Sequence, residues 1–175
     1  MHRREYIKIT KDYALAASRA FETLASEEDG GDPFHFVYVS GLGATLEPRW
    51  YTQLFARVKG ETEAALAGMT RGGFHALSVR PGAVDPATHD AVHPYVPTRS
   101  PILRATAAVL SPATRMLAPG IHSPTEELGR VFTQLAMGRH ADQLAGMKKD
   151  VQWVGNFPIL ENPAIRRLAA LSEQK

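Results

Sequence analysis

Apolar positions recur along this chain with two different periods. Tyr13, Ala16, Ala17, Ala20, Phe21 and Leu24 share one helical face, which predicts an amphipathic helix over 11–25 with Thr10 as its N-cap. Ser26-Glu-Glu-Asp-Gly-Gly-Asp-Pro33 breaks it with acids and turn formers. The run Phe-His-Phe-Val-Tyr-Val-Ser over 34–40 is short, aromatic and β-branched, and reads as a buried strand stopped by Gly41-Leu-Gly43. A second helix follows, with Pro48 suited to its first turn and Tyr51, Leu54, Phe55, Val58, Ala65, Leu66 and Met69 carrying the period. Thr70-Arg-Gly-Gly73 ends it. A second strand over 74–79 closes at Arg80-Pro-Gly82.

The stretch 83–101 holds Pro86, Pro94, Pro97 and Pro101 among polar residues and is expected to be a long loop or lid. A helix over 102–110 is interrupted at Pro112. Ser123-Pro-Thr-Glu126 has the pattern of a helix start, Ser as N-cap and Pro in the first position, with Leu128, Val131, Phe132 and Leu135 as the buried stripe. A short third strand fits 151–154. Asn162-Pro163 opens a last amphipathic helix carrying Ile165, Leu168, Ala169 and Leu171. Helices alternating with strands predict an α/β fold, with a short, mostly parallel sheet flanked by helices, in one domain over residues 1–175.

Composition narrows the functional classes. The 175 residues carry 20 Lys+Arg against 18 Asp+Glu, a net charge of +2, too balanced for a chain whose main partner is a polyanion. There is no cysteine, which removes disulfides, thiolate metal sites and a cysteine nucleophile together. No apolar run reaches the roughly 18 residues that span a bilayer, and no apolar stretch follows Arg3 and Arg4. The expectation is a cytoplasmic domain without a membrane or nucleic-acid partner.

Three segments in order, Phe36-Val-Tyr-Val-Ser-Gly41, Phe55-Ala-Arg-Val-Lys-Gly-Glu-Thr-Glu63 and Val79-Arg-Pro-Gly82, resemble the later half of an atypical short-chain dehydrogenase/reductase of the NAD-dependent epimerase/dehydratase-like group. Tyr6 to Leu24, Thr125-Glu-Glu-Leu-Gly129 and Ile159-Leu-Glu-Asn162 also look like elements of that group. The resemblance implies a partial Rossmann-like sheet, with Ser40 orienting a carbonyl and Lys59 supporting an acid/base phenol. The chain departs from the pattern twice. It has no Gly-rich turn before the first strand, so the pyrophosphate site is missing and no nicotinamide cofactor is expected. Four residues before Lys59 stands Phe55, which has no proton to give; Tyr51, one turn earlier, is the candidate phenol.

Each candidate has a plainer alternative. Ser40 can cap a turn, Lys59 can extend its amine to solvent, and Arg80 can be a structural arginine at a strand end. His89 and His93 have metal-ligand spacing, but in a proline-rich loop with only Asp85 or Asp90 nearby, so no metal is expected. His122 reads as part of the approach to the next helix. Glu61 and Glu63 are expected to face solvent. Glu126 and Glu127 suit the positive end of a helix.

The sequence therefore supports a truncated enzyme of short-chain-dehydrogenase type. It would catalyse a redox-neutral step (isomerisation, cyclisation, dehydration or epimerisation) on a small apolar molecule, in secondary metabolism. Ser40, Tyr51, Lys59 and Arg80 are its candidate catalytic residues. The alternatives are a non-catalytic remnant or subunit, or a fragment of an NAD(P)-dependent oxidoreductase. A homodimer or partner subunit is expected, because a short sheet leaves an unpaired edge and leaves Tyr13, Phe21, Tyr51, Phe55 and Val58 to be covered.

Overall fold

The computed structural model describes residues 2–23, 25, 33–96 and 119–172. The helix expected over 102–110 and the end of the proline-rich stretch lie outside them.

The N-terminal helical region is α1 (Arg3–Ile7), a π-helical turn (Lys8–Asp12) and α2 (Tyr13–Glu22), running on without a break. Thr10 is thus no N-cap. It lies inside the π turn, where its freed carbonyl accepts from the Tyr38 hydroxyl at 3.4 Å. Next come β1 (Phe34–Val39), α3 (Leu54–Ala67) and β2 (Phe74–Arg80). The stretch expected as loop contains β3 (Ala83–Asp85) and a 3-10 turn (Asp90–Tyr95). A second 3-10 turn (Pro119–Ile121) leads to β4 (His122–Pro124), α4 (Thr125–Ala136), α5 (Ala141–Gly146), β5 (Val151–Val154), β6 (Phe157–Glu161) and α6 (Asn162–Ser172).

The main sheet has four strands in the order β1-β2-β6-β5. β1, β2 and β6 are parallel, and β5 returns antiparallel beside β6 through a tight turn at Gly155, whose φ is +59°. The α/β class and mostly parallel sheet match the sequence reading. In the main sheet the strand missed is β6: Pro158 and the adjoining Asn162-Pro163 disguise it. Pro158 sits opposite Trp153 on the two-stranded ribbon.

Strand alternation makes three layers. Leu77 and Val79 face α4 and α6 and form a core with Leu128, Val131, Leu135, Leu160, Ile165 and Leu168. Tyr38, Phe74, Ala76 and Ile159 face α2 and α3, packing with Leu66, Phe157 and Leu15. The helices hold this second layer closely at one point. A Cβ on Gly60 would lie 1.8 Å from the Thr45 carbonyl oxygen, so only glycine lets α3 pass over the loop that leaves β1. No helix among the described residues is long and apolar enough to cross a membrane.

Candidate functional site

In parallel α/β sheets the C-terminal strand ends open onto loops, and chemistry gathers there. Ser40, Arg80 and Glu161 lie at the ends of β1, β2 and β6. The period of two points all three side chains toward α3, which passes over them carrying Lys59 and Glu63.

Lys59 is half-buried against the end of β1. Its ammonium donates to the carbonyl of Ser40 and, at 3.4 Å, to that of Val39. Burial lowers its pKa below the ordinary lysine value, and the Glu63 carboxylate partly opposes that shift. The amine lies against Gly41, where an added Cβ would be in ordinary contact with Nζ at 3.6 Å. The Ser40 side chain is buried, and its hydroxyl has no hydrogen-bond partner among the described residues.

Arg80 is committed differently. Its Nε and Nη2 grip the Glu63 oxygens Oε1 and Oε2 at 3.0 and 2.6 Å, and Nη1 reaches Glu161 at 2.7 Å. Ser78 donates to the same Glu63 carboxylate at 2.8 Å. Glu63 is completely buried, contrary to the expectation that it faces solvent. Two carboxylates and a bidentate geometry hold the Arg80 pKa above its usual value against the cost of burial. Glu61, two residues before Glu63 and on the other side of α3, pairs with Lys11 at 2.9 Å.

Tyr51 does not lie on a helix. α3 begins at Leu54, and Tyr51 stands in the preceding turn, 60% exposed, its hydroxyl accepting from Arg49 at 3.3 Å. The buried phenol is Tyr38, which desolvation pushes up to about pKa 12, with the Thr62 side chain opposing and Glu63 adding to the rise.

A second polar cluster adjoins the end of β2. His122 and Asp85 meet at 2.8 Å, both buried, across the small parallel sheet of β3 and β4. Ser123 donates to Asn162 at 2.6 Å and accepts from the Gly82 amide at 2.9 Å. Asn162 in turn donates to the Gly120 and His122 carbonyls. Ser123 is therefore not a helix N-cap. Its strand pairs with β3, and its hydroxyl ties β2 to the start of α6. Leu42 donates to the Pro81 carbonyl at 2.9 Å, which joins this cluster to the Ser40 loop. His89 and His93 bind Thr125 and the Pro86 carbonyl, and no group of three metal-ligating side chains occurs among the described residues.

Sequence reasoning missed Glu63, the Asp85–His122 pair and Asn162. One signal was available for Glu63: it stands four residues after Lys59, on the side of α3 that meets Ser78 and Arg80 of β2.

One known protein is similar to this chain over almost its whole length. Botcinic acid biosynthesis cluster B protein 16 of Botryotinia fuckeliana (strain B05.10) is 39% identical over 161 residues, covering 91% of this chain and 99% of that one. The chain belongs to the family of that cluster protein. Its relative's place in a biosynthetic cluster agrees with the secondary-metabolism setting expected from the sequence. No family model matches the chain, and no solved structure matches it.

Proposed function

We propose that this protein catalyses a redox-neutral step on a small, largely apolar intermediate of a secondary-metabolite pathway, at the edge formed by Ser40 and Lys59. The observation that carries this reading is a buried Ser40 hydroxyl with no hydrogen-bond partner among the described residues, on the same residue whose carbonyl holds the Lys59 amine, an amine of depressed pKa. Leaving a buried hydroxyl unpaired costs about 1–3 kcal/mol, and a substrate carbonyl accepting from Ser40 offsets that cost. Lys59, once neutral, removes a proton from the carbon beside that carbonyl. The electron pair moves onto the oxygen and is stabilised there by Ser40. It then returns, either with the proton delivered to another carbon or with expulsion of hydroxide, which leaves as water. No electrons leave the substrate, so no nicotinamide is required. In this reading Tyr51 is the candidate second proton donor. Arg80 acts as a positioning residue, fixing Glu63 and the ends of β2 and β6. The order of β1, α3, β2 and β6 supports descent from the later half of a short-chain dehydrogenase.

The test is comparative mass spectrometry of a strain lacking the gene against the complemented strain. The accumulated precursor is expected to equal the restored product in mass or to differ by one water. A difference of two hydrogens would overturn the redox-neutral assignment.

We also propose that β1 pairs with a second copy. Only one of its edges is hydrogen-bonded among the described residues, and Val39, Leu42, Trp50, Tyr51 and Phe55 are exposed nearby. Val58 needs no such cover, since its own chain buries it.

A further inference from the structure

At the opposite end of the strands, where β1 and β2 begin, lies a cavity of about 290 Å³. That is close to the lower end of the roughly 300–1,000 Å³ range of small-molecule sites. Its apolar wall is Leu77, Leu135, Leu144 and Trp153. Its polar side is His35, His75, Arg71 and Arg139, with no carboxylate in the lining.

The histidines are brought together by strand register. His35 on β1 stands opposite His75 on β2, the rings meeting edge to face at 5.4 Å. His75 Nε2 lies 3.1 Å from the Gly72 carbonyl, which orients that ring. His35 has no hydrogen bond among the described residues. Burial, and then the neighbouring His75, lower its pKa, so it is poised to gain a proton when an anion arrives. The turn after α4 is shaped for this ring. Gly138 has φ +69°, and a Cβ there would lie 2.4 Å from His35 Nε2. His140 is the one non-glycine residue with positive φ among the described residues, and it is tied to Gln134 at 2.7 Å. This strained turn presents Arg139. Arg71 is already paired with Glu22 at 3.1 Å, which leaves Arg139 as the arginine of the lining with no carboxylate partner among the described residues.

We propose that this cavity binds a small apolar carboxylic acid, its hydrocarbon body against Leu135, Leu144 and Trp153 and its carboxylate on Arg139 and the His35–His75 pair. The site is separate from the Ser40–Lys59 edge and does not depend on the function assigned there.

The chain has two tryptophans, so a Trp50→Phe variant leaves Trp153 as the reporter within the cavity. Its emission is titrated with octanoate and, as the uncharged control, octanol. Saturable octanoate binding is expected, about tenfold or more tighter than octanol, since a charge-assisted contact is at stake. Arg139→Ala, on an exposed turn, and His35→Gln should each abolish that preference while leaving octanol binding in place. Octanoate affinity should rise severalfold from about pH 8 to about pH 6 as His35 takes up a proton. Equal affinity for octanoate and octanol, no saturable octanoate binding, an unchanged preference in Arg139→Ala, or a flat pH profile would each overturn the proposal.

Discussion

Arg80 and Glu63 form a fully hydrogen-bonded ion pair inside the protein, with contacts of 2.6 and 3.0 Å and both side chains almost wholly shielded from water. The pair joins α3 to β2, so it sets the height at which Lys59 meets the end of β1. Removing one partner strands the other charge. Glu63→Gln is expected to destabilise the fold by about 3 kcal/mol, read from urea unfolding. The double variant Glu63→Leu/Arg80→Met should recover much of that loss, because two apolar side chains replace two desolvated charges. A double variant as unstable as the sum of the singles would show that the two residues do not act as a unit.

Gly60 and Gly129 both sit in helices but in opposite surroundings. Gly60→Ala drives a methyl into the Thr45 backbone, which cannot move aside as a side chain would. A loss of about 3 kcal/mol is expected. Gly129→Ala meets nothing within 4 Å on the exposed side of α4 and should gain about 0.5–1 kcal/mol from helix propensity. Thermal melts of the two variants check the opposite signs.

Tyr38 makes stability depend on alkaline pH. Its folded pKa of about 12 lies above the ordinary value of 10.0, so the folded state holds the phenol proton more tightly than the unfolded chain does. The contribution is complete below about pH 10 and is lost as pH rises toward about 12. Tyr38→Phe should flatten that part of the stability profile. A profile identical to the wild type would place the alkaline transition elsewhere.

The proposed pairing of β1 predicts a dimer. Sedimentation equilibrium at micromolar concentration should find twice the chain mass of 19.1 kDa. A 19.1 kDa species unchanged by concentration would remove the second copy from the account.

The layered fold was legible where periodicity is local. The stripe Leu128, Val131, Leu135 on α4 announces itself by spacing, and the strands at 34–39 and 74–80 by short runs closed with turn residues, aromatic and β-branched in the first. β6 was hidden because its four buried residues starting at Phe157 include a proline and the strand runs straight into a helix. Glu63 was misread because helical periodicity says which face a residue occupies, not what waits there. Arg80, Ser78 and Glu161 turn an acidic position into a buried one, and they come from two strands far apart in sequence. Asp85 and His122 meet only after β3 and β4 pair, 37 residues apart, so no short motif reports them. Ser40 and Lys59 were identified through family resemblance. The contact between them became visible only when α3 was laid across β1.

The central claim is that the Lys59 amine beside Ser40 carries the chemistry. The most direct measurement is the ratio of accumulated precursor to product in a gene-deleted strain complemented with Lys59→Met or with Lys149→Met. Both changes keep most of the side-chain volume, and Lys149 lies exposed before β5. Matched melting temperatures would establish that both variants are folded. Lys59→Met is predicted to lower product formation by about two orders of magnitude, the scale of lost general-base catalysis, while Lys149→Met matches the wild type. Full activity in folded Lys59→Met would contradict the account.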